Sequence, residues 1–243
     1  MNPTINLMAS HRSVRRFHPT PVPDEDVGAA VNAARMASTS SWIQAYHLLQ
    51  VTTPTTRAAL ATLSGDQPQV REAGAFFVLS GDTRRHRLIA ADEERTYCGN
   101  LETFLTVVAD ASLFAQNLAL AFESMGYGIC MIGGLRNQLP EVGELLKLPL
   151  GVWPLFGLCV GESAEEPATR PRLPAELLWT KNAYPADKTV RAGLACYDAE
   201  AAQHYEDRGL SGRNWSGGIA RKFERLTRQH LLDFYGSKGA TLT

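Results

Sequence analysis

Four short apolar runs, residues 48–51, 75–79, 129–132 and 155–160, each carry Gly, Pro, Ser or Thr on at least one side. They are too short for ordinary buried helices and predict four strands. Between the second and third, residues 101–125 repeat apolar positions at helical spacing and on other faces too (Val107, Ala111, Phe114, Leu118, Phe122, Met125), with Gly126 as a stop. A helix apolar nearly all round must be covered on most sides, by its own sheet or by a second subunit. Pro23 and Asp24, an acidic first turn and an alanine-rich continuation predict a helix over 24–36. A shorter helix, 141–146, separates the last two strands, and a short apolar helix start precedes His11.

After Val160 the pattern changes. Pro167, Pro171, Pro174 and Pro185 punctuate an irregular stretch, followed by an amphipathic helix at 198–207 and an arginine-rich end (Arg208, Arg213, Arg221, Lys222, Arg225, Arg228). With few apolar clusters in about 80 residues, this part would make a poor core alone. The expected organisation is therefore one domain: a core over 1–162 and an extension over 163–243 that wraps it.

Composition narrows the function. The chain has 243 residues, 44% hydrophobic and 20% charged, with a formal net charge of -1. That is enough to bury a full core and excludes disorder as the main state. Residues 1–162 hold twelve Lys and Arg against fifteen Asp and Glu, and the remainder twelve against ten. This balance argues against a nucleic-acid partner while leaving room for local basic sites. Cys98, Cys130, Cys159 and Cys196 show no metal or redox spacing, and Cys130 and Cys159 sit in apolar runs as small hydrophobes, which fits a reducing compartment. The start of the chain lacks the features of a signal peptide, and Gln116, Asn117 and Glu123 interrupt the greasiest segment, so the expectation is a soluble cytoplasmic protein without a membrane span.

Alternating strands and helices would suit a doubly wound nucleotide fold. In Gly126-Tyr127-Gly128-Ile129-Cys130-Met131, however, Met131 occupies the place of the third glycine, and no phosphate loop is present. Any phosphate must be held mainly by side chains. His11-Arg12-Ser13-Val14-Arg15-Arg16-Phe17 supplies such donors: three guanidiniums this close repel one another unless an anion sits among them. Arg170-Pro171-Arg172 is a second anion-seeking group, stiffened by proline. Each would also serve as a solvated basic turn; two together point to a shared phosphate. Ser38-Thr39-Ser40-Ser41-Trp42-Ile43-Gln44 offers hydroxyls either for turns or for a polar heteroaromatic ring. Ile132-Gly133-Gly134 is either a tight turn or a strand end that lets backbone amides approach a flat ligand. His18, His47, His86, His204 and His230 have no Ser, Cys or carboxylate partner at a telling distance, and neither a metal-ligand pattern nor a nucleophile elbow is found.

Taken in order, the His11 to Phe17 segment, Ser38 to Ser41, Gly65-Asp66-Gln67, Asp110-Ala111 with Ala115-Gln116-Asn117, Ile132 to Asn137, Leu155 to Gly161 and Arg170 to Pro174 resemble the nitroreductase family, and most closely its oxygen-insensitive NADPH nitroreductase and flavin reductase branch. The resemblance implies an α+β fold with a central mixed or antiparallel sheet flanked by helices, an intertwined homodimer, and FMN bound without a covalent link at the subunit interface. It implies that His11, Arg15, Arg170 and Arg172 meet the FMN phosphate. Arg12, Ser13, Ser40, Gln67 and the backbone of Met131, Ile132, Gly133 and Gly134 would surround the isoalloxazine ring. Arg208 and Arg213 look like the branch's loop for the extra phosphate of NADPH, Glu102 like a carboxylate near the flavin, and Ser41, Trp42 and Arg228 like the lining of the acceptor face.

The implied activity is two-electron, ping-pong transfer from NADPH through FMN to nitroaromatics, quinones or free flavins, with no side-chain nucleophile because the flavin carries the hydride. Alternatives are a flavin reductase feeding a partner oxygenase, and a flavin-binding or sensing protein without turnover. A binder of phosphate-rich polymers is weakened by the absence of an extended basic stripe.

Overall fold

The structure, a computed structural model, describes residues 2–242. They fall into two compact units, one reaching Pro167 and resuming at Arg228, the other Ala168–Thr227. In chain order the first unit contains α1 (Pro3–Ala9), α2 (Asp24–Ala34), β1 (Tyr46–Gln50), α3 (Pro54–Leu63), α4 (Gln69–Glu72), β2 (Ala75–Asp82), α5 (Arg84–Asp92), α6 (Leu101–Ser124), β3 (Gly128–Ile132), α7 (Leu139–Leu145) and β4 (Val152–Gly161). The second unit holds α8 (Ala175–Leu178), α9 (Asp187–Glu206) and α10 (Trp215–Phe223), after which α11 (Leu231–Ser237) belongs to the first again.

The four strands form one sheet in the order β1-β2-β4-β3, and every pair is antiparallel. The central strands are buried on both faces, which is why their sequences read as apolar runs without alternation. Phe76 and Val78 of β2 join a cluster with Leu60, Leu135 and Val142, whereas Phe77 and Leu79 point to the other face and meet Phe114, Leu118 and Phe122 of α6. Phe77 and Phe122 stack at 5.9 Å, and Tyr46 of β1 stacks on Phe114 at 4.4 Å.

Helix α6 begins with a reciprocal cap: Asn100 accepts from the Thr103 amide at 3.0 Å while the Asn100 amide donates back to Thr103 Oγ1 at 3.3 Å. Among the described helices it alone has the length and apolar composition to cross a membrane. Here it lies on the sheet, with Asp110 buried among its apolar neighbours. Leu101, Leu105 and Leu113 remain exposed on the single chain, so the sheet covers only part of its apolar surface.

The expected strands are all present, with ends displaced by up to three residues, and the helix expected at 141–146 is α7. Helix α9 starts at Asp187, well before residue 198, because Gly193 is a helical position and not a break. A Cβ there would stand 2.7 Å from Leu177 Cδ2, so its absence lets α8 pack close. Helices α3 and α5 were not expected. Helix α5 buries none of its residues, so no apolar stripe betrays it.

The basic segment is built into the sheet. Ser13 bridges Ile129 in parallel, the Val14 amide donates to Ile129 O at 2.9 Å, and Phe17 bridges Ser163. Val14 and Phe17 are buried, which leaves Arg12, Arg15 and Arg16 facing outward. Glu165 fixes this path: its Oε1 accepts from the amides of Arg15 (2.6 Å) and Arg16 (3.1 Å), and its Oε2 from Arg16 Nε (3.1 Å). The Arg15 amide above all, with Arg16 beside it, holds this carboxyl below the usual carboxylate range. A carboxylate whose value is depressed by folding adds stability above its unfolded value, about 4.3 for glutamate, and loses it as pH falls through the folded value. Glu165→Gln is therefore expected to be less stable than the parent in urea titrations at pH 7, with the difference fading below about pH 4; a difference that is the same at pH 7 and pH 3 would contradict this assignment.

Candidate functional site

The site residues fall into four sets. The first is the outward face of the basic segment. Arg12 and Arg15 have only carbonyl partners among the described residues, Arg12 with Ser10 O (3.4 Å) and Pro167 O (3.5 Å) and Arg15 with Ser13 O (3.3 Å). Arg16, by contrast, is spent on Glu165. Neither guanidinium is paired with a carboxylate among the described residues, which leaves both available to an anion. His11 lies at the start of the segment and pairs with Glu123.

The second set is the turn that ends β3. Met131 is partly exposed and Ile132 buried, and the chain then enters a tight helical turn over Gly133–Asn137. A Cβ on Gly134 would fall 2.2 Å from Ser64 O and 2.4 Å from Gln67 Nε2, so this position tolerates no side chain. Gln67 is held beside it, donating to Ser64 O at 2.9 Å and accepting from Gln69 Nε2 at 2.7 Å. Arg228 reaches the same turn through Asn137 Oδ1, with Nε at 3.0 Å and Nη2 at 2.9 Å.

The third set is organised by Asp110. Its carboxylate accepts from Thr39 Oγ1, from the Ser40 amide at 2.9 Å and from the Ala45 amide at 3.2 Å. Between these anchors Ser41, Trp42 and Gln44 take positive φ values of 47°, 60° and 50°, a left-handed conformation that costs about 1–2 kcal/mol for a residue with a Cβ. Ser40 and Ser41 line a cavity of about 390 Å³ together with His86, Tyr97, Cys98 and Glu102. Trp42 is 81% exposed and is not part of that wall. His86 supports the loop, its Nε2 lying 2.7 Å from Ile43 O.

The fourth set lies in the second unit. Arg172 Nη1 donates to Arg170 O at 3.1 Å, Tyr197 Oη donates to Pro171 O at 3.0 Å, and both arginines line a cavity of about 400 Å³ with Tyr197, Tyr205 and Trp215. Arg208 and Arg213 are exposed on either side of a turn in which Gly209 and Gly212 have φ of 70° and 73°.

The expected residues are thus grouped as His11, Arg12, Ser13 and Arg15; as Gln67, Met131 to Gly134 and Arg228; as Ser40, Ser41 and Glu102; and as Arg170 with Arg172. Sequence reasoning missed Glu165, Glu123, His86 and Tyr97. The two acids lie 150 and 112 positions from the residues they hold, a spacing no local motif records.

If Asp110 organises the third set, Asp110→Ala should strand the Ser40 and Ala45 amides at a cost of about 1–3 kcal/mol each, read as a lower urea midpoint. Thr39→Ala removes only one donor and should cost less than Asp110→Ala. Equal midpoints for Asp110→Ala and the parent would remove Asp110 from this role.

Residues 8–162 match the model of the nitroreductase family, and residues 170–243 match that of the nitroreductase family C-terminal domain. The chain is 40% identical over 242 residues to the oxygen-insensitive NADPH nitroreductase of Salmonella typhimurium, covering 98% of each. It is 38% identical over 245 residues to the FMN reductase (NADPH) of Bacillus subtilis, again covering 98% of each. The solved structure of NfrA1 from B. megaterium superposes with a TM-score of 0.96 at 39% identity, over 98% of this chain and 99% of that one. With its sheet, its basic segment and its glycine-ended strand all in the expected places, this chain belongs to the nitroreductase family.

Proposed function

We propose that the protein is an FMN-dependent NADPH oxidoreductase that passes two electrons to nitroaromatics, quinones or free flavins. The observation that carries this reading is the pair of guanidiniums without carboxylate partners, Arg12 and Arg15, on a segment bridged to β3. From the Ser13–Ile129 bridge to Gly133, β3 runs about 13 Å at 3.3 Å per residue, comparable to a flavin mononucleotide from its phosphate to its ring. His11 and Arg15 would hold the phosphate, and Arg170 and Arg172 are a second pair of forks suited to a phosphate. Arg12, Ser13 and Gln67 would surround the ring, and the Cβ-free Gly133 and Gly134 would let the backbone approach it. The donor set fits the group: guanidiniums for a dianion, and a strand end with no side chain for a flat ring. When bound, FMN supplies the hydride acceptor and the two-electron donor. The residues' part is placement, together with positive charge that favours a more anionic flavin.

For the co-substrate, Arg208 and Arg213 present two forks suited to the additional phosphate of NADPH. The names of the Salmonella and Bacillus relatives share NADPH and differ in acceptor. A cavity walled by Ser40, Ser41, Tyr97 and Glu102, with Trp42 and Arg228 beside the acceptor face, would admit flat rings broadly. The exposed thiols Cys98 and Cys196 suit the reducing cytoplasm.

The length of α6 supports a homodimer. His11 is bonded to Glu123 near its end, and Glu102 lies at its beginning. At 1.5 Å per residue these are about 30 Å apart, too far for one flavin to touch both. The Ser40, Ser41 and Glu102 set would therefore serve the flavin held by the other chain, and Leu101, Leu105 and Leu113 would be covered by that second copy. Light scattering is expected to give twice the 26.6 kDa of one chain, and Leu105→Lys to give monomers that have lost their flavin. Monomeric parent protein retaining its flavin would rule this arrangement out.

Arg15→Ala should purify largely colourless, whereas the parent is yellow, bleaches with NADPH and recolours when nitrofurazone or menadione is added under argon. Normal flavin content in the variant would refute the phosphate assignment. Yellow protein that NADPH does not bleach would make the chain a flavin binder without turnover.

A further inference from the structure

His11 is tied to the far end of α6. Its Nδ1 lies 2.6 Å from Glu123 Oε1, within reach of a charge-assisted bond when that nitrogen carries the proton. The Glu123 side chain is 10% exposed against 32% for His11. Its other oxygen, Oε2, is buried with no hydrogen-bond partner. Burying a carboxylate with one oxygen unsatisfied costs stability, and such a group in a folded protein calls for an explanation beyond packing. The helix does not need it, since the cap backbone of Met125 already bonds to Phe122 O.

The explanation lies in the ring's two nitrogens. Which of them bears a proton is set by the bond the other makes. With Nδ1 committed to Glu123, only Nε2 is left for a ligand, and Nε2 binds an anion only as N–H. The ring then stands with the carboxylate behind it and Nε2 directed to the front, where an anion would sit. Of the neighbouring cations, Arg16 is occupied by Glu165, and Arg12 and Arg15 have carbonyl partners only; Glu165 fixes the backbone of the segment, and Glu123 engages the ring of His11.

We propose that Glu123 is a positioning residue that holds the His11 ring through Nδ1, so that Nε2–H meets the flavin phosphate. This rests on the assignment of His11 to that phosphate. Riboflavin, which has the ring but lacks the phosphate, separates a phosphate-directed role from a structural one. In full-length protein stripped of flavin and titrated by fluorescence quenching, Glu123→Gln should weaken FMN about tenfold and leave riboflavin unchanged. His11→Ala should lose the same preference for FMN, and adding Glu123→Gln to it should lose little more. If His11→Ala keeps the full preference for FMN over riboflavin, the phosphate assignment itself fails. If His11→Ala loses it and Glu123→Gln keeps it, that assignment stands and the positioning role is overturned, as it also is if Glu123→Gln weakens both ligands equally. Nitrogen-15 spectra of the flavin-free parent, with His11 assigned from His11→Gln, need no Glu123 variant to fold: they should show Nδ1 protonated, and a bare Nδ1 would overturn the proposal.

Discussion

The constraint on which most of the first unit depends is a single buried carboxylate. Asp110 is 1% exposed, and an ionised group in that position is tolerable only because three donors converge on it. Those donors come from one loop, so the helix dictates the course of residues 39–45. The consequence travels further: Ala45, whose amide binds Asp110, accepts from the Asp82 amide through its own carbonyl at 3.1 Å. Asp82 in turn accepts from the Arg84 amide at 2.8 Å and pairs with Arg85 at 3.2 Å, and His86 of the same helix closes the circuit on Ile43. Helix α6, the loop, the end of β2 and the start of α5 are therefore one connected structure. The three left-handed residues of the loop persist because both of its ends are fixed.

The same helix sets the scale of the site. Because α6 is 24 residues long, whatever is attached at Glu123 cannot share a small ligand with whatever is attached at Glu102. An ordinary enzyme pocket gathers its residues from one chain. Here the segment held at one end of α6 is basic and the cavity at the other is lined by hydroxyls and an acid, so in the proposed dimer each chain would carry two unlike half-sites. The exposed leucines of α6 lie on the element that separates them, and covering those leucines with a second copy is what would bring unlike halves together.

Much of this was legible in the sequence, for a physical reason. Strands β2 and β4 are buried on both faces and so announce themselves as apolar runs, and α6 must cover the sheet and so repeats its apolar residues over many turns. Elements that bury little were less legible: α5 buries nothing and was not expected, and α9, with only Tyr197 and Ala201 buried and a glycine that admits Leu177, was read only over its second half. Of the site, the residues expected to touch ligand could be read because their types are chemically telling in short strings. The groups that hold them could not. Asp110 is 71 positions from Thr39, Glu123 is 112 from His11 and Glu165 is 150 from Arg15, and an acid on an amphipathic helix or in a polar loop looks like any other solvated charge until the fold closes.

That asymmetry also bears on how a nearly neutral chain would take the small phosphates of the proposed function over polyanions. A net charge of -1 gives no long-range attraction for a polymer, whose binding depends on many phosphates neutralised along a stripe. Within the basic segment the fold subtracts charge selectively: Glu165 neutralises Arg16 and fixes the backbone, and Glu123 engages His11, while Arg12 and Arg15 keep their charge unpaired. The acids do not cancel the site; they fix the geometry around the two charges that remain. Two local charges are too few to hold an extended chain of phosphates.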